Sequence, residues 1–92
     1  MTLKVNSSME GDAVVFALCG RIRQDQLALL EFLFMQTSEV PNIVLDLMDV
    51  KLVDRGVVQF LAQHEIRGVQ IRNCPAYIRE WISRERNGSS IQ

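Results

Sequence analysis

Cysteine and proline are scarce in this chain, with two of each, and histidine, tryptophan and tyrosine occur once apiece. Cys19 and Cys74 build no disulfide framework, and with a single histidine they offer no metal-ligand spacing. Neither sign of charge dominates: ten Lys+Arg stand against eleven Asp+Glu, a net charge of −1. That balance argues against duplex nucleic-acid binding, which requires a clustered basic footprint. The longest apolar run, residues 13–19 (AVVFALC), is far below the ~20 residues that span a bilayer. No glycine-rich phosphate loop is present, and no basic segment leads into a hydrophobic stretch. The expectation is a reduced cytoplasmic protein without cofactor, metal, membrane span or nucleic-acid partner.

What is present reads as one globular domain. The chain has 92 residues, 48% of them apolar and 23% charged, which is ordinary composition at the small end of what folds alone. Residues 3–8 read as the first arm of a hairpin, with turn chemistry at Asn6, Ser7 and Ser8 and again at Glu10, Gly11 and Asp12. Residues 13–19 are β-branched and close at Gly20, the pattern of a buried strand. Residues 23–38 hold helix formers without Gly or Pro. A second β-rich run covers 42–47 (NIVLDL), and residues 48–53 read as its exit loop. Asp54 is a favoured N-cap before the helical pattern Val57, Val58, Leu61, Ala62, and Gly68 is the usual residue past a helix end. Residues 69–72 (VQIR) form a short strand; Pro75 opens a last helix with Tyr77, Ile78, Trp81 and Ile82 inward, and residues 87–92 read as a polar tail. The order β-β-α-β-α-β-α predicts an α/β fold, a four-stranded mixed sheet with three helices. Binding sites in such sheets lie beyond the strands' C-terminal ends, here near residues 20–22, 48–54 and 72–75.

The segment IVLDLMDVKLVDRGVVQFL, residues 43–61, resembles the signature of the STAS family, the domain of anti-sigma-factor antagonists and anion-transporter tails. LCGRI, residues 18–22, is similar to that family's L-x-G-x-[LI] segment. The resemblance implies a small STAS-like fold and a non-catalytic module that binds a protein partner, such as an anti-sigma kinase. In the family, Asp-Ser-Ser-Gly opens the helix, and the second serine accepts phosphate. Aligned without a gap from Asp54, those serines fall on Arg55 and Gly56, and no Ser, Thr or Tyr lies between Val40 and Val69. The phospho-switch is therefore absent under this alignment. The chain also ends one helix after VQIR, where members of the family add a strand and a helix, so the resemblance is to a trimmed version. It implies a docking surface made of the loop Asp49, Val50, Lys51, Leu52 and Val53 with the first helical turn Asp54, Arg55, Gly56, Val57 and Val58.

Other constellations compete with that surface. Asp46, Asp49 and Asp54 suggest the acidic pocket of a Mg²⁺-dependent receiver, but the lysine and hydroxyl such a site needs on later strands are missing. Cys74 stands at a helix start, where free N–H groups favour a thiolate, so a thiol-based redox sensor or enzyme is the rival reading. His64, the sole histidine, falls at the edge of its helix's apolar arc and reads as a half-buried structural residue; Glu65 has no clear role. The helix over 23–38 carries more apolar residues than one face uses. Leu27, Leu30, Leu33 and Phe34 fit a sheet-facing stripe, which leaves Leu29, Phe32 and Met35 for self-association as a homodimer.

Overall fold

The computed structural model describes residues 3–37 and 41–91. Ser38, the expected end of the first helix, and Gln92 lie outside them. Strands β1 (Lys4–Glu10) and β2 (Ala13–Ile22) form an antiparallel hairpin in which Glu10 pairs with Ala13. Gly11, at φ 62°, supplies the positive φ such a two-residue turn needs at its first central position. Asn6, Ser7 and Ser8 are strand residues, which corrects their reading as a turn. β1 is an edge strand with only Val5 half-buried, so no apolar alternation marks it.

A single 3-10 turn (Gln24–Gln26) leads into helix α1 (Leu27–Gln36). Strand β3 (Asn42–Val53) returns parallel to β2, helix α2 (Arg55–Ile66) follows, and strand β4 (Gln70–Arg72) lies parallel to β3. Helix α3 (Ala76–Ile91) ends the described chain, so the residues read as a polar tail continue a helix as far as Ile91. The sheet order is β1-β2-β3-β4, a mixed four-stranded sheet with three helices in the expected sequence.

β3 is the largest departure from expectation. Its 12 residues include Asp49, Val50, Lys51, Leu52 and Val53, which were expected as a loop. Two register shifts, between Ala17 and Cys19 and between Gly20 and Arg21, each put an extra residue on β3. Gly20 of β2, opposite the second shift, holds φ 95°, a conformation glycine adopts without steric cost. Inward side chains on β3 therefore fall at Leu45, Leu47, Val50 and Val53 rather than at strict alternation. A two-residue period could not have found them.

Both parallel crossovers step in one direction, so their helices cover the same sheet face. The core is one cluster: Val14, Phe16, Leu18 and Ile22 of β2, Leu45, Leu47 and Val50 of β3, Leu30 and Phe34 of α1, the apolar side of α2, and Ile78 and Ile82 of α3. Val15 and Val44 are 5% and 3% exposed yet lie outside that cluster, on the helix-free face. Arg72 of β4 donates to both carboxylate oxygens of Glu10 on β1, at 3.1 and 3.2 Å. The register places Val15 and Val44 on the two strands between these residues, and the ion pair crosses over them.

In the helix layer α2 lies between its neighbours. Phe34 of α1 packs on Phe60 and His64, with ring centroids at 5.8 and 4.9 Å. On the other flank Glu65 takes a fork of bonds from Arg79 at 2.9 and 2.8 Å and a third from Arg86 at 3.4 Å, which gives Glu65 the role the sequence did not reveal. Tyr77, expected inward, is 47% exposed and donates its hydroxyl to the Lys51 carbonyl at 2.7 Å. Among the described residues no helix is long and apolar enough to cross a membrane.

Burial, reinforced by Arg67 and opposed by Glu31, holds the His64 pKa below its ordinary 6.5. The unfolded chain then binds the proton more readily, so stability is full above 6.5 and falls as pH drops through the lower folded value. Thermal melts between about pH 7.5 and about pH 5.5 should show a declining Tm. His64→Phe, which keeps an aromatic ring against Phe34 and Phe60, should flatten that decline; an unchanged slope would assign it to other groups.

Candidate functional site

β2 and β3 end level with each other, Ile22 paired to Val53, and both chains turn at that edge. Asp54 is extended there (φ −104°, ψ 177°) and precedes α2. Its Oδ1 accepts the Val57 N–H at 3.2 Å, the bond of a helix N-cap. Its Oδ2 accepts the Gln24 N–H at 2.8 Å, from the 3-10 turn after β2. One carboxylate thus caps α2 and ties down the exit of the neighbouring strand. The Arg23 N–H donates to Gln26 Oε1 at 2.8 Å and tightens the same turn. Arg23, Gln24, Asp25 and Asp54 line a shallow open hollow between the two segments.

Gly56 is explained by the same contact. A Cβ added there would stand 2.7 Å from Gln24 Cδ and 2.8 Å from its Cγ, so the glutamine side chain occupies the space a larger residue would fill. Sequence reading missed Gln24, for nothing in its own neighbourhood points thirty residues ahead. The pairing of Ile22 with Val53 is the signal that brings it to Asp54.

The predicted docking residues divide by exposure. Asp49, Lys51, Leu52 and Arg55 are exposed, Leu52 at 51%. Val50, Val57 and Val58 are buried at 4%, 0% and 0%. These three belong to the core, and their assignment to a partner surface is corrected. Val53, Asp54 and Gly56 are half-buried and support the edge from beneath. Arg55 donates through Nε to Glu85 of α3 at 3.2 Å, and Gln59 donates to the same carboxylate at 3.4 Å. Leu29, Phe32 and Met35 are 48%, 55% and 73% exposed, as the surplus on α1 implied.

The acidic trio does not gather. Asp46 accepts the Met48 N–H at 3.0 Å and the Asn73 side-chain amide at 3.3 Å, while Asp54 is committed to its two backbone bonds. Among the described residues no group of three or more His, Cys, Asp or Glu is placed to hold a metal. Cys74 is half-buried; burial pushes its thiol pKa up, Arg79 opposes and Glu65 adds to the rise. Cys19, expected in the core, is half-buried and lies outside the core cluster.

No family model matches this chain, and no curated protein does. A solved structure described as "Crystal Structure Analysis of Mglu" is similar over 76% of this chain, with a TM-score of 0.55 and 26% identity. The chain spans 19% of that protein's length. The likeness is one of fold over a segment of a much longer molecule.

Asp54→Ala removes both bonds and should destabilise the fold by about 1–2 kcal/mol, measured by denaturant unfolding. Gly56→Ser should fold, since Gly56 is helical and the obstacle is the end of a flexible glutamine. Its signature should be a displaced Gln24 side chain in the amide spectrum with the Gln24 backbone bond retained. Loss of folding would mean that Gln24 cannot yield.

Proposed function

We propose that this chain is a non-catalytic protein-interaction module, a STAS-like domain of the anti-sigma-antagonist type that works without a phosphoacceptor. The observation that carries the reading is the edge itself. A helix start stapled to its neighbouring strand by Asp54 adjoins the exposed Leu52, which pairs with the exposed Arg21 of β2 and lies near the exposed Lys51 and Arg55 along the chain. An exposed leucine among charges is the make-up of a small interface centre with a polar rim. The resemblance over residues 43–61 supports the same edge as the contact surface. The partner is a protein of a bacterial signalling complex, an anti-sigma kinase being the case the resemblance favours, and the setting is the cytoplasm.

Phosphate in the family's position would repel a partner by charge and desolvation. Here Gly56 stands at that position, beneath Gln24, and no hydroxyl side chain occurs from Leu45 to Gly68. Binding is therefore set by abundance and assembly rather than by a phosphate cycle. The thiol reading loses ground on one point: burial favours the neutral thiol of Cys74, whereas reactivity needs the thiolate.

Titration calorimetry against anti-sigma-type kinases, with intact-mass spectrometry after incubation with ATP, tests the reading. Binding without added phosphate at residues 45–68 is expected. Leu52→Asp should weaken binding by at least about tenfold with the fold intact. Undiminished binding by Leu52→Asp would move the surface elsewhere. A phosphate mapped to that region would overturn the alignment.

A further inference from the structure

We propose that the chain forms a symmetric dimer by pairing β1 of one copy antiparallel with β1 of a second, about a two-fold axis at Ser7, with the α1 helices meeting above the joined edge. Among the described residues no strand lies beside the outer side of β1. In a two-residue hairpin the pair flanking the turn, here Glu10 and Ala13, is a hydrogen-bonded one. Alternation then sends the backbone groups of Lys4, Asn6, Ser8 and Glu10 toward β2. Those of Val5, Ser7 and Met9 face outward and need a partner.

The sequence KVNSSME is complementary to its own reverse. Centred on Ser7, the antiparallel register sets Lys4 opposite the second copy's Glu10, Val5 opposite Met9, and Asn6 opposite Ser8. Charge meets opposite charge, apolar meets apolar, and polar meets polar. The backbone parity agrees: Val5, Ser7 and Met9 become hydrogen-bonded pairs, while Lys4–Glu10 and Asn6–Ser8 take the closer non-bonded positions. Glu10 already holds Arg72, and a carboxylate has about four lone-pair sites, which leaves room for Lys4 as well. Met9, 59% exposed on the helix side of the edge, gains a partner in Val5 of the second copy.

The helix nearest this edge is α1. Its Phe34 packs on Phe16 of β2, the residue paired with Ser7, with ring centroids at 5.9 Å, and also on Phe60 of α2, while α2 is clamped to α3 on its far side. Leu29 and Phe32 of α1 are 48% and 55% exposed. Met35 does not join them: it lines a hollow with Gln63, His64 and Arg67 of α2. This narrows the self-association set to Leu29 and Phe32 and adds the β1 edge beneath them.

Sedimentation equilibrium at micromolar concentration tests the register, with three variants. Wild type should run at twice the 10.5 kDa chain mass. Ser7→Pro removes an N–H that faces outward and so should leave the hairpin folded by circular dichroism but monomeric. Phe32→Glu should likewise give a folded monomer. Ser7→Cys should oxidise to a covalent dimer linked at the substituted position, as paired strands bring those Cα atoms within disulfide range. A monomeric wild type overturns the proposal. So does a dimer that survives Ser7→Pro, whether or not Phe32→Glu dissolves it, because the contact would then not run through β1. Should Ser7→Pro fail to fold, absence of the Ser7→Cys cross-link overturns it equally.

Discussion

The Asp54 carboxylate joins two chain segments that sequence separates by thirty residues, and the arrangement of the candidate edge rests on it. One oxygen satisfies an orphan N–H at the start of α2; the other satisfies the N–H of Gln24 as the chain leaves β2. Each bond by itself is an ordinary capping contact. Together they fix where the helix begins relative to the sheet, and Gly56 lets the Gln24 side chain lie flat against that beginning. The position at which the STAS resemblance expects a phosphorylatable serine is here a packing position.

The rest of the molecule holds that edge in place with few devices. Two bulges shift the inward positions of β3, so the strand stays paired to β2 as far as Val53 while Val50 still reaches the core. Glu65 and Arg79 lock α2 to α3, and the Tyr77 hydroxyl reaches back to the Lys51 carbonyl beside the exposed Leu52. On the opposite face the Glu10–Arg72 pair crosses the sheet over Val15 and Val44, a cover made by side chains where none of the described helices lies. Exposed ion pairs contribute little stability individually. Their value here is positional.

Much of this was legible in the residues alone. The element order, the Asp54 cap and the surplus of apolar residues on α1 follow from capping chemistry and helical period. Three features did not. Asp46 and Asp49 made β3 look finished at Leu47: Asp46 faces outward by simple alternation, and Asp49, where alternation would point inward, is turned outward only by the first bulge. Asn6, Ser7 and Ser8 looked like a turn because an edge strand exposed on nearly all sides carries no apolar alternation. Gln24 and Glu65 act through partners thirty and fourteen residues away, and spacing along one helix or strand cannot reveal a contact between elements.

One carboxylate serves two donors, and amide hydrogen exchange on Asp54→Asn tests that directly. A carboxamide keeps the shape but has a single acceptor oxygen. It can retain the bond to Val57 or the bond to Gln24, not both. One of these two amides should lose protection while the other, and the core amides of β2 and β3, keep theirs. Unchanged protection at both Gln24 and Val57 would contradict it.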